Sequence, residues 1–150
     1  MEVKIKLLSP KLGKEIPLPA YATPGSAGMD LRACIDEPLT LAPGARAKVP
    51  AGFAMALPGP EYVALVFARS GLAAKHGLAL SNGVGVVDSD YRGEITMGLI
   101  NLGTEPYTIQ PGERVAQMVI LPAVQADLTP ALELDDTQRG AGGFGSTGKA

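Results

Sequence analysis

Apolar and charged residues alternate from the start of the chain: Val3, Ile5 and Leu7 fall on one side, Lys4 and Lys6 on the other. Successive side chains of a strand point to opposite faces, so this spacing predicts a half-buried β-strand. Similar short runs at residues 30–35, 47–57, 62–68, 84–87, 94–100 and 114–121 predict further strands. Val49, Phe53, Met55 and Leu57 keep one apolar face through the third of these runs. Pro24-Gly25, Pro43-Gly44, Pro58-Gly59 and Pro111-Gly112 punctuate the pattern. Proline presets φ and glycine supplies φ > 0, which together suit tight turns. Strands at this spacing suggest a β-sandwich, a jelly roll or a small barrel.

One segment reads differently. Ser70 is a candidate N-cap, Leu72-Ala73-Ala74-Lys75-His76 are mostly good helix formers, and Gly77 is a stop. About two turns of helix are predicted there. Past Leu121 the patterning weakens, and from Arg139 it vanishes, with five glycines in the last twelve residues. Ordering so much glycine is entropically unfavourable, so a mobile arm that orders on a ligand is expected. The chain thus divides into a β domain, 1–138, and an arm, 139–150, with no internal repeat.

Composition supports this picture. Gly (19) and Pro (13) are abundant among the 150 residues, and there is no Trp. With 46% hydrophobic and 19% charged residues, neither disorder nor a collagen-like chain is indicated. The length suits one domain. A net charge of -2 excludes a generic basic footprint for nucleic acid, leaving room for a local phosphate-binding cluster. A single cysteine, Cys34, excludes an intramolecular disulfide and sits in an apolar stretch as a small core residue. His76 is the only histidine, so a His-rich metal site is out. No apolar run approaches the roughly 18 residues of a membrane span, and the N-terminus has no signal-peptide core. A soluble cytoplasmic protein is expected, without membrane or direct nucleic-acid partners.

Five segments carry candidate chemistry. Gly143 to Lys149 fits the first seven positions of a phosphate-loop pattern, but Ala150 stands where a magnesium-binding Ser or Thr is required. A P-loop NTPase is therefore disfavoured. What remains is a glycine-rich backbone able to aim N–H groups at phosphate, with Arg139, Ser146 and Thr147 adding side-chain donors. Phe144, alone among the glycines, suits stacking on a planar ligand; a plain surface tail is the competing reading. Arg69-Ser70-Gly71, at a predicted helix start, is either an anion site or an ordinary capped helix.

The third segment runs from Ser81 to Gly93. Gly83 and Gly85 flank Val84 and permit a sharply bent hairpin whose open backbone, beside Asn82, can read a pyrimidine edge. Asp88 and Asp90 would share a face on a strand, with Tyr91 pointing the other way. A carboxylate there can activate water or bind magnesium, or it can simply belong to an acidic turn. The fourth, Ser26 to Leu31, brings Asp30 into a strand after turn residues. In the fifth, Gly112 to Gln117, the polar Gln117 alternates in phase with Val115 and Val119, so it is satisfied internally or faces a site.

In order and spacing these stretches resemble the five motifs of the trimeric deoxyuridine triphosphate nucleotidohydrolases, the dUTPases. They are Ala27-Gly28-Met29-Asp30-Leu31, Arg69-Ser70-Gly71-Leu72-Ala73, residues 82–94, Gly112-Glu113-Arg114-Val115-Ala116-Gln117 and residues 139–148. The resemblance implies an all-β, distorted jelly-roll or sandwich-like domain with one short helix, assembled as a homotrimer with shared active sites. It implies hydrolysis of dUTP to dUMP and pyrophosphate, which keeps uracil out of DNA and supplies dUMP for thymidylate synthesis. Asp88 would be the base that activates water for attack at the α-phosphorus. Mg2+ would bind the triphosphate, with Asp30 and Gln117 in its outer shell. Arg69, Ser70 and Gly71 would hold phosphates. Asn82 and the backbone of Gly83, Val84, Gly85, Val86 and Val87 would read uracil, and Met97 joins the substrate-binding set. Tyr91 would lie under the deoxyribose. Phe144 would close over the base, while Arg139, Gly145, Ser146 and Thr147 reach the substrate from another subunit's arm.

Physical chemistry agrees with such a site. Fixed backbone groups matched to uracil would be left unpaired by cytosine, which discriminates strongly. Phosphoryl chemistry needs positioning and charge neutralisation more than covalent catalysis. Two alternatives stand beside this reading: a dCTP deaminase-like relative, and a non-catalytic nucleotide-binding β-module.

Overall fold

Period-two patterning becomes ten strands and one helix in the computed structural model, which describes residues 1–143. In chain order these are β1 (Lys4–Leu7), β2 (Met29–Arg32), β3 (Leu39–Leu41), β4 (Arg46–Ala56), β5 (Tyr62–Ala68), α1 (Ser70–His76), β6 (Leu78–Leu80), β7 (Gly85–Val87), β8 (Glu94–Asn101), β9 (Tyr107–Ile109) and β10 (Arg114–Pro122). Each predicted run contains a strand. The strands β3, β6 and β9, at three residues each, are too short for alternation to reveal. The run predicted over 30–35 stops at Arg32. There the chain leaves β10, with the Ala33 N–H donating to Glu113 O, and the Cys34 N–H donates to Pro50 O on β4.

One sheet has the order β1-β4-β8-β6, the second β2-β10-β5-β7, and β3 pairs with β9. All these pairings are antiparallel. The long strands β4 and β8 of one sheet, and β5 and β10 of the other, occupy central positions and supply much of the core. Val49, Phe53, Met55, Met97 and Leu99 from the first sheet join Leu31, Ala64, Val66 and Met118 from the second in one hydrophobic cluster. This is the all-β, jelly-roll-like sandwich with one short helix that the sequence suggested. Among the described residues no helix is long and apolar enough to cross a membrane.

Buried Asn101 supports the loop after β8. Its amide donates to Leu41 O (2.9 Å) and Glu105 O (2.8 Å), and its carbonyl accepts from the Gly103 N–H (2.8 Å). Every arm of a fully buried amide is thereby used, as a low-dielectric interior requires.

Two expectations need correction. The N-cap of α1 is Arg69, in extended conformation; Ser70 is already helical, and no side chain caps the helix. Gly77 does end it, at φ 70°, and a Cβ there would meet Gly103 N at 2.2 Å, so only glycine fits. The apolar face of β1 is not half-buried within one chain, since Ile5 and Leu7 are 43% and 48% exposed. The strand pairs only with β4, at a sheet edge, where no second layer of its own chain covers it. Beyond β10, Val124, Leu128, Leu132 and Leu134 are also almost fully exposed.

Candidate active site

Pairing of β5 with β7 sets Gly85 opposite Val66, Val86 opposite Leu65 and Val87 opposite Ala64. A Cβ at Gly85 would stand 3.1 Å from Val66 Cβ, so the glycine lets β7 close onto β5. Since β7 is the last strand of its sheet, its outer row of N–H and C=O groups has no ladder partner. Residues of this edge strand line a hollow of about 210 Å³, together with Asn82, Asp88, Tyr91 and Glu94 to Gly98 of β8. Buried Met97, together with Val66 and Leu80, supplies apolar lining. Free main-chain donors and acceptors beside an apolar slot can bind a flat heterocycle with alternating donors and acceptors.

Asp88 lies just beyond β7, on a turn closed by the Tyr91 N–H to Asp88 O bond (3.2 Å), and not on a strand. Asp88 and Tyr91 therefore line the same hollow, contrary to the opposed placement that strand geometry predicts, and Asp90 is not among its lining residues. Asp88 and Asp90 meet in a neighbouring hollow with Tyr62 and Gln125. The expected hairpin does not form, because β6 and β7 join different sheets; Gly83 and exposed Val84 lie in the connection between them and do not line the base-sized hollow.

A second hollow, about 650 Å³, gathers the cationic residues. Adjacent strands β2 and β10 set Asp30 directly opposite Gln117. Asp30 then accepts from Arg69 Nε (3.1 Å) on one oxygen and from Arg114 Nη1 (3.0 Å) on the other. Arg69 Nη1 also donates to the main-chain O of Arg114 (3.1 Å), which fixes the Arg69 side chain while the Asp30 carboxylate joins the two guanidinium groups into one fork. Gln117 Nε2 donates to Ala68 O (3.0 Å), so this residue is both satisfied internally and part of the hollow. Gly28 leaves space beside its other end, since a Cβ there would meet Gln117 Oε1 at 3.0 Å. Ser70, Gly71 and His76 complete the wall. Two arginines held by one carboxylate leave a net positive charge suited to a polyphosphate.

Arg139 stands apart from both hollows, in an exposed turn where its Nε donates to Gly142 O (2.8 Å). Phe144, Gly145, Ser146 and Thr147 lie outside the described residues. Arg114 and Glu94 received no role from the sequence reading, although both stand inside the motif-like stretches it singled out. The usable signal was charge: Arg114 is a cation two residues after a turn glycine, and Glu94 an acid entering an otherwise apolar strand. Among the described residues no cluster of three or more His, Cys, Asp or Glu could hold a metal by itself.

A family profile described as dUTPase matches residues 14–148, nearly the whole chain. The chain belongs to the dUTPase family. Its relatives include the deoxyuridine 5'-triphosphate nucleotidohydrolase of Idiomarina loihiensis, 51% identical over 149 residues and covering 99% of each chain. The enzyme of the same name from Hahella chejuensis is 55% identical over 144 residues, covering 96% of this chain and 95% of its own. Among solved structures, a Staphylococcus bacteriophage 80alpha dUTPase with dUPNHPP superposes with a TM-score of 0.86 at 27% identity, covering 99% of both chains. The likeness covers 99% of the chain and so both sheets, and a solved mutant dUTPase from phage phi11 of S. aureus is described as coordinating a structural Mg(II) ion.

Proposed function

We infer that this dUTPase-family chain hydrolyses dUTP to dUMP and pyrophosphate, with the deoxyuridine in the hollow beside β7. The observation that carries the reading is the unpaired edge of β7 beside an apolar slot, with Asp88 at its rim. Uracil presents a donor between two acceptors, and fixed backbone groups match that pattern without side-chain motion. Asn82 and the backbone of Gly85, Val86 and Val87 read the base against Met97. The slot's limited volume works against a 5-methyl group. Tyr91 lies against the deoxyribose, its hydroxyl donating to Glu94 O (3.2 Å).

Asp88 takes a proton from a water that attacks the α-phosphorus. The bond from that phosphorus to the bridging oxygen breaks, and pyrophosphate leaves. Arg69, Arg114, Ser70 and Gly71 hold the departing charge, and Arg139, Phe144, Gly145, Ser146 and Thr147 close over the substrate. The donor set fits Mg2+ carried in by the phosphates. Asp30 and Gln117 would contact its waters, since Mg2+ generally retains several waters beside one or two protein carboxylates. Once bound, the metal would neutralise charge on the phosphate oxygens.

The base-sized hollow and the cationic hollow share no lining residue within one chain. This supports a homotrimer in which one subunit's Arg69 and Arg114 meet the nucleotide bound by another's β7. The uncovered apolar residues of β1 and of residues 123–134 supply surface for such an assembly. The cytoplasm is the compartment proposed for the reaction.

One assay tests the reading. The protein is incubated with Mg2+ and dUTP, UTP, dTTP or dCTP while pyrophosphate and ammonia are followed. Fast pyrophosphate release from dUTP alone is expected. Ammonia from dCTP would point to a deaminase, and binding without turnover to a regulatory module.

A further inference from the structure

Where β4 passes β8, the pairing slips: Pro50 faces Thr96, yet Ala54 faces Glu94, so β4 carries two extra residues. Gly52 lies in this bulge at φ 82°, a conformation that favours glycine. A Cβ there would meet Cys34 Sγ at 2.6 Å. The inverted backbone leaves two groups of Gly52 outside the β4–β8 ladder. Its carbonyl accepts from the Leu8 and Ser9 N–H groups at 2.9 and 3.1 Å. Its N–H donates to Glu94 Oε1 at 3.0 Å.

Glu94 is also where the turn bearing Asp88 and Tyr91 rejoins the sheet. Its main-chain oxygen accepts from the Tyr91 hydroxyl (3.2 Å), and Gly93 makes that fold-back possible, since a Cβ there would sit 2.3 Å from the hydroxyl oxygen. Tyr91 N–H donates to Asp88 O, and Arg92 Nη1 donates to Ser89 O (2.7 Å) and Tyr91 O (2.8 Å), so hydrogen bonds tie residues 88–92 together. That unit hangs from β7 at one end and from Glu94 at the other.

We propose that Glu94 is a positioning residue for sugar selection: its carboxylate pins the start of β8 to the β4 bulge, and its carbonyl fixes the Tyr91 ring against the deoxyribose. The carboxylate needs only its acceptor oxygen for this work, not its charge. The inference rests on the reading of the β7 hollow as the deoxyuridine site.

The test compares Glu94→Ala with Glu94→Gln, measuring kcat and KM for dUTP and UTP in the presence of Mg2+. Glu94→Ala should raise KM for dUTP about tenfold with a smaller change in kcat, and should lower the dUTP-to-UTP ratio of kcat/KM about tenfold. Glu94→Gln keeps an oxygen acceptor and should stay within about threefold of wild type on both measures. A Glu94→Ala enzyme with the wild-type ratio, or a Glu94→Gln enzyme as impaired as Glu94→Ala, would overturn the proposal. If Glu94→Ala does not fold, Tyr91→Phe decides: it removes the bond to the Glu94 carbonyl without touching the bulge, and an unchanged ratio refutes the role. Wild-type protein that leaves dUTP intact would sink the site reading along with the proposal, whereas wild-type dUTP preference with unaffected variants sinks the Glu94 role alone.

Discussion

Replacing Asp30 by asparagine separates the parts of the cationic hollow. The carboxylate is 21% exposed and spans two arginines, Arg69 (29% exposed) and Arg114 (44%), through contacts of 3.1 and 3.0 Å. A sheltered hydrogen bond between charged groups contributes about 1.5–3 kcal/mol and a surface ion pair about 0–1. With arginines this open to water, each arm is assigned about 1 kcal/mol, or about 2 kcal/mol for the pair of contacts. An asparagine can accept from one guanidinium but turns an N–H toward the other, so both contributions are at stake. At about 2–4 °C per kcal/mol for a chain of this size, Tm should fall by about 4–8 °C. Loss of the fork should also raise KM for dUTP by about tenfold or more, because two guanidinium groups no longer share a fixed orientation. Thermal unfolding and pyrophosphate release at varied dUTP and Mg2+ measure these effects. Wild-type Tm and KM in the variant would refute the ion-pair argument. A raised Mg2+ requirement at unchanged KM would assign Asp30 to the metal's water shell instead.

Other outcomes follow from the same geometry. Asp88→Asn should cut turnover by about a thousandfold while a non-hydrolysable dUTP analogue still binds in calorimetry, and retained activity would remove Asp88 as the base. Deleting residues 139–150 should abolish hydrolysis while circular dichroism and gel filtration report an unchanged fold and trimer; unfolding or aggregation would make that segment structural. Asn101→Ala strands the Gly103 N–H and two carbonyls in the interior, and urea unfolding should show a loss of about 2–4 kcal/mol. Burial, reinforced by a hydrogen bond to the Glu113 carboxylate, pushes the Tyr107 hydroxyl up from 10.0 to about 12. The folded state therefore holds that proton more tightly than the unfolded chain. The associated stability is present below pH 10 and is lost as pH rises toward 12. Tyr107→Phe should flatten the fall of unfolding free energy across that window, and parallel slopes would refute the linkage.

Residues close in sequence were the legible ones. Alternation located β2, β4, β5, β7, β8 and β10 because their core-facing positions recur at period two, and Gly77 marked the end of α1 because a side chain cannot fit there. The bend at Gly83 was readable for the same local reason, since its φ of 75° favours glycine whatever packs around it. Ser70 misled as an N-cap because the chain enters the helix one residue earlier. The opposed placement of Asp88 and Tyr91 failed because a turn, not a strand, carries them.

Sequence by itself determined the longer strands, the family and the residue types at the site, since these depend on side-chain periodicity and on short motifs. Only the tertiary structure decided which charges meet. Asp30 reaches Arg69 and Arg114 because β2, β10 and β5 lie side by side, and Glu94 reaches Gly52 because a bulge turns one amide out of the ladder. Those contacts join residues 39 to 84 positions apart. No local pattern encodes them, because strand order and register are settled by how two whole sheets bury their apolar faces against each other.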